Sequence, residues 1–89
     1  MKETCVFWKV IYKEYIEKHE REKKIRMFST LGKAQRFIIN QANRYPWREN
    51  YKESYEKNGE FKVVFDIKSN NVTYTEEYTL TAYFEGEIV

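Results

Sequence analysis

Cysteine is nearly absent from this chain: Cys5 is the only one in 89 residues. A single thiol forms no intramolecular disulfide, and a zinc cluster built on several thiolates is excluded. Histidine also occurs once, as His19 within the charged run EKHEREKK, far in sequence from Cys5. A Cys–His nucleophilic pair needs its two side chains within hydrogen-bond reach, and nothing in this spacing calls for that contact. His19 therefore reads as a solvated loop residue and Cys5 as a small buried or half-buried strand residue. Glycine is scarce and scattered, at positions 32, 59 and 86, so no glycine-rich loop is available to cradle a phosphate. Apolar runs are short as well. Lys9 breaks the one near the start, which makes it a poor signal peptide, and no segment approaches the roughly 20 apolar residues of a membrane span. These gaps lead us to expect a cytoplasmic protein with no membrane partner, no metal site and no cofactor.

What the chain does contain is charge and aromatic surface. Charged residues make up 34% and aromatic residues 18% of the sequence, enough for a soluble exterior around one packed core. Residues 1–89 are expected to form a single domain. The net charge of +2 hides a segregation along the chain: residues 21–52 hold nine basic and two acidic side chains, whereas residues 53–89 hold three basic and eight acidic. Such segregation matters only if folding keeps the segments apart. Lys, Asn, Ile, Tyr and Phe together supply 38 residues, a usage that suits AT-rich coding in a low-GC bacterium or its phages.

Alternation and turn residues suggest the elements. CVFWKVIYKEYI places Val6, Trp8, Val10 and Tyr12 on one face of a strand. EKHEREKK is expected to be a hairpin tip and KIRMFST a short second strand, with Ile25 and Met27 on one side and Arg26 and Phe28 on the other. A helix should start at Ser29 or Thr30, either of which can accept a hydrogen bond from a first-turn amide. Leu31, Ala34, Ile38, Ala42 and Tyr45 fall on one helical stripe, with Ile39 at its margin. Pro46 ends that helix. It could also open a second one through PWRENYKESYEKNG, where Trp47, Tyr51 and Tyr55 recur every four residues and Gly59 stands as a C-terminal cap. A hairpin at Asn58-Gly59 is the rival, but a two-residue loop there would set Phe61 opposite Glu56 and Phe65 opposite Lys52. The helix is preferred for that reason. Finally, FKVVFDIKSNNVTYTEEYTLTAYF reads as two strands around an Asn70-Asn71 turn, pairing Phe61 with Leu80, Val63 with Tyr78 and Ile67 with Tyr74. The expected fold is α+β, with an antiparallel sheet of about four strands and one or two helices on one face, in the order β-β-α-α-β-β.

Functional signals are few. Glu76 and Glu77 are adjacent on a strand and point to opposite faces, so they cannot serve one substrate as paired acid and base. Glu76 falls on the apolar side, between Tyr74 and Tyr78. Its position suggests a sheet edge beyond helical cover, or else a carboxylate that anchors a basic group of a partner. No nucleophile, metal cluster or acid–base pair has a recognisable spacing, and the chain reads as no enzyme. The distinctive stretch is LGKAQRFIINQANRYPWR, residues 31–48, which has basic side chains and no acidic one. Together with the preceding strand it offers Arg26, Lys33, Arg36, Arg44 and Arg48 interleaved with Phe28, Phe37 and Trp47. Arginine beside an exposed aromatic such as Phe37 is the composition of protein interface hot spots. The same ingredients track phosphates and stack on bases in single-stranded nucleic acid, although a pI of about 8.6 is modest for that role. We therefore expect a small binding module that contacts its partner through Arg26, Lys33, Arg36, Phe37, Arg44 and Arg48. The partner would be a larger protein with an acidic surface, as for a phage or mobile-element inhibitor of a host or defence protein. Nucleic acid is the alternative.

Overall fold

Asn70 and Asn71 both adopt left-handed backbone conformations, with φ of 52° and 65°, and fold the C-terminal third into a tight hairpin. Asparagine tolerates this region because its short polar side chain bonds locally. In the computed structural model, which describes residues 5–55 and 60–84, the turn joins strands Phe61–Ser69 and Val72–Phe84. Their register is the expected one, with Phe61 opposite Leu80, Val63 opposite Tyr78 and Ile67 opposite Tyr74.

In chain order the described elements are β1 (Cys5–Ile16), β2 (His19–Phe28), α1 (Leu31–Asn43), β3 (Glu49–Tyr55), β4 (Phe61–Ser69) and β5 (Val72–Phe84). The fold is α+β: one antiparallel sheet ordered β2-β1-β5-β4-β3, with α1 across one face. Helix α1 therefore carries the chain from one edge of the sheet to the other. The order β-β-α-β-β-β replaces the expected β-β-α-α-β-β, because the second helix does not form. Residues 49–55 are instead an edge strand on β4. The aromatics explain this choice. Tyr55 lies opposite Phe61 with ring centroids 4.9 Å apart, and Tyr51 stacks on Phe65 at 6.2 Å. A register shifted by one residue from the tight-loop alternative thus unites the very rings that alternative would have wasted. A spacing of four residues also satisfies a strand period of two, so the aromatic stripe never discriminated between the elements. Asn58 and Gly59 lie outside the described residues.

The first hairpin is longer than its charge suggested. Only Glu17 and Lys18 form its turn, both at positive φ, and His19 already belongs to β2. As an edge strand β2 is exposed along nearly its whole length, so EREKK stays in water while its backbone pairs with β1.

The N-cap of α1 is Thr30, whose hydroxyl accepts from the Lys33 amide at 3.2 Å. Ala34, Ile38 and Ala42 are fully buried against Val10, Val63, Phe65, Tyr78 and Leu80. Leu31 and Ile39 lie at the rim of the stripe and remain exposed. A helix of 13 residues spans about 20 Å, whereas strands of 12 or 13 residues run about 40 Å. The molecule is accordingly elongated, 53 × 23 × 21 Å. Beyond the C-terminal end of α1 the helix-side face of the sheet is open, toward the two hairpin tips.

Two outcomes check this fold. Asn71→Gly should be neutral or stabilising, and Asn71→Val should cost about 1 kcal/mol or more through strain at positive φ, both read from thermal melts. Ile38→Ala, a core truncation, should lower stability by about 2–5 kcal/mol in denaturant unfolding.

Candidate functional site

Two surfaces gather the residues that matter. The first is the outer side of α1. Lys33 and Arg36 are exposed there, and Lys33 Nζ reaches the Ser29 hydroxyl at 3.4 Å. Ile39 follows Arg36 by three residues and is 45% exposed, while Trp47, just past the helix, is 59% exposed. Positions three apart are neighbours on a helix, so Arg36 and Ile39 form one mixed basic and apolar patch. Trp47 is propped edge-on against Tyr45, with centroids 5.6 Å apart.

The other expected contact residues do not join that patch. Phe37 turns inward, half-buried, 5.2 Å from the Phe28 ring and 6.3 Å from Tyr78. The Arg26 guanidinium sits over it at 5.1 Å. Arg44 donates to Gln41 Oε1 at 2.8 Å and lies over Tyr45. Arg48 is half-buried, donates to the Tyr45 carbonyl and covers the Tyr51 ring at 4.6 Å. The six residues thus divide: Lys33 and Arg36 face solvent, Arg26, Phe37 and Arg44 line a cavity, and Arg48 belongs to the packing under the loop to β3.

That cavity is the second surface. It encloses about 310 Å³ between the C-terminal half of α1 and strands β1, β2 and β5. Strand pairing builds its floor. Glu14 lies opposite Glu22 on β2 and opposite Glu76 on β5, so three carboxylates stand in a row across three adjacent strands. Like charges directly opposite one another destabilise a sheet. Glu76 is not at an edge, as its place in the sequence suggested. It sits on the central strand, only 6% exposed. Tyrosines relieve part of the cost. Tyr78 donates to Glu76 Oε1 at 2.7 Å and Tyr12 donates to Glu14 Oε2 at 2.9 Å. Burial, then the hydrogen bond to a carboxylate, pushes both phenols well above the ordinary tyrosine range, so they remain protonated donors. At the rim Lys24 pairs with Glu22 at 3.1 Å. Among the described residues no group of three or more acidic, histidine or cysteine side chains is placed to hold a metal ion, and no helix is long and apolar enough to cross a membrane.

Of the residues lining this cavity, Glu76 stands out in the sequence, whereas Tyr12, Glu14, Glu22 and Tyr45 do not. Glu14 continues the Trp8–Val10–Tyr12 alternation and Glu22 continues that of Phe28 and Arg26, which was the available signal. Its meaning depends on β5 lying beside β1. The side chain of Cys5 lies outside the described residues, and His19 is exposed at the start of β2.

No family model, no curated protein and no solved structure matches this chain.

Burial raises the Glu76 carboxyl above its ordinary value of 4.5; the Tyr78 hydrogen bond opposes the shift, the Glu14 charge adds to it, and Arg44 opposes it more weakly. A carboxyl raised in the folded state binds more protons there than in the unfolded chain, so its contribution to stability falls as pH rises through the folded value. Glu76→Gln should therefore stabilise the protein at neutral pH, and the advantage should disappear below pH 4.5. Melting temperatures of both proteins across that range test this.

Proposed function

We propose that the protein is a small binding module without catalysis that acts by occupying the surface of a larger protein. The observation that carries this reading is the patch on the outer side of α1, where Arg36 and Lys33 adjoin exposed Ile39 and Trp47 stands at the helix end. Apolar side chains held in water beside arginine match the composition of interface centres. Basic residues on the same surface favour a partner with acidic groups, and charge of this kind raises association rates and selects orientation. The inward packing of Phe37 weighs against nucleic acid, because it withdraws the ring best placed to stack on a base. Small size and AT-rich residue usage suit a phage or mobile-element accessory protein that inhibits a host or defence protein in this way.

The structure also selects a cleaner variant than reversal of every basic residue. Arg44→Glu would add a fourth carboxylate beside Glu14 and Glu76, confounding folding with binding. Lys33→Glu, Arg36→Glu and Ile39→Ser alter exposed side chains only. Combined, they should leave the melting temperature within a few degrees, since surface changes are usually within about 0.5 kcal/mol each. They should abolish co-purification of the partner from producing cells, and the wild-type complex should survive nuclease. Steeply salt-dependent retention on single-stranded DNA, lost in the same variant, would assign the patch to nucleic acid instead.

A further inference from the structure

We propose that the cavity at the C-terminal end of α1 is a receptor site for an organic cation of guanidinium or alkylammonium type, held by Glu14 and Glu76. This surface is separate from Lys33 and Arg36, and the inference goes beyond the binding role assigned to them.

Glu14 and Glu76 are opposed across the β1–β5 ladder, which places their Cβ atoms about 5 Å apart. Each spends one oxygen on a tyrosine hydroxyl. The second oxygen of each has no hydrogen bond or ion pair among the described residues. Glu76 is more than nine-tenths buried and still lines the cavity, so its free oxygen is directed into that space. A group carrying two or more N–H donors and a positive charge would satisfy both oxygens and cancel the repulsion between them. The walls suit the same ligand, because Tyr12 and Tyr78 line the cavity beside the two carboxylates and aromatic faces attract cations. The helix contributes too. Its C-terminal end, the negative pole of the helix dipole, lies at this cavity through Gln41, Arg44 and Tyr45.

Other ligands fit less well. Among the described residues no converging set of ligands serves a metal ion. An anion would lie against the paired carboxylates Glu14 and Glu76, while the basic side chains of the lining sit elsewhere: Lys24 is paired with Glu22, Arg44 donates to Gln41, and Arg26 lies over Phe37. A second opening of the same face, bounded by Tyr45, Trp47, Tyr74 and Ile67, shares Glu14 and Glu76 with the first. A cation could therefore arrive on an extended chain or as a free small molecule.

The test is a titration of the full-length protein with methylguanidinium, followed by amide chemical shifts, beside its neutral isostere N-methylurea. Saturable shifts confined to residues around Glu14, Gln41, Tyr45 and Glu76, seen with the cation and not with the urea, are expected. Glu76→Gln and Glu14→Gln should each weaken binding about tenfold or more, the loss of one charge-assisted bond. A blocked Gly-Arg-Gly peptide, titrated in parallel, separates the sources. Much tighter binding of the peptide marks an arginine presented by another chain, and equal binding marks a free cation. Absence of saturable shifts, equal response to the urea, or unchanged affinity in both glutamine variants overturns the proposal. So does binding by Arg44→Gln but not by the wild type, for then Arg44 itself would be the resident cation.

Discussion

Strand β5 is hydrogen-bonded on both sides, to β1 and to β4, and the rest of the molecule depends on that double pairing. Closing the β4–β5 hairpin is a local event, directed by two asparagines that accept left-handed geometry. Docking β1 along the free edge of β5 is not local. It joins the two ends of the described chain and turns two hairpins into one sheet. Only then does the helix-side face carry Val10, Leu80, Val63 and Phe65 as a continuous apolar floor on which Ala34, Ile38 and Ala42 can pack. The same pairing brings Glu14 beside Glu76. The core and the charged cavity are consequences of one ladder.

Aromatic rings extend that core sideways. Phe28, Phe37, Tyr78, Phe65 and Tyr51 form a chain of contacts running from β2 through the helix to β3. Large rings contribute more buried area per residue than any aliphatic, which suits a domain too small to bury much surface. This explains why a single helix suffices. The helix covers the sheet centre, and rings from the strands and from the 44–48 loop cover its flanks. Phe37 is a member of this chain, and that is why it is not available as a free stacking surface.

Charge segregation along the sequence is offset in space only locally. Within the acidic segment Lys62 pairs with Glu77 across β4 and β5, and Lys68 reaches back to Glu49 of the basic segment. Arg44 stands near Glu76 closely enough to oppose its raised proton affinity. Two local charge features stand out: a basic and apolar patch on the outer side of α1, and an acidic row beneath its end. The two surfaces would recognise opposite charges, and both are fixed to rigid elements, which favours selectivity over adaptability.

The sequence by itself determined the elements whose signals are local. Alternation and turn chemistry specified β1, β4, β5 and the Asn70-Asn71 register, and a capping threonine with an apolar stripe specified α1. Their physics acts between near neighbours, so it is legible in a window of a dozen residues. It could not decide Trp47–Tyr55, because aromatics four apart satisfy both helix and strand; contact of Tyr51 and Tyr55 with Phe65 and Phe61 decided for the strand. Lys33 and Arg36 were legible as surface, since a helical wheel sets them opposite the core. The inward turn of Phe37 depended on Phe28 and Tyr78 being close by. The row of Glu22, Glu14 and Glu76 was beyond local reading altogether, for those residues are neighbours only through strand order, and strand order is set by which edges the whole chain can bury together.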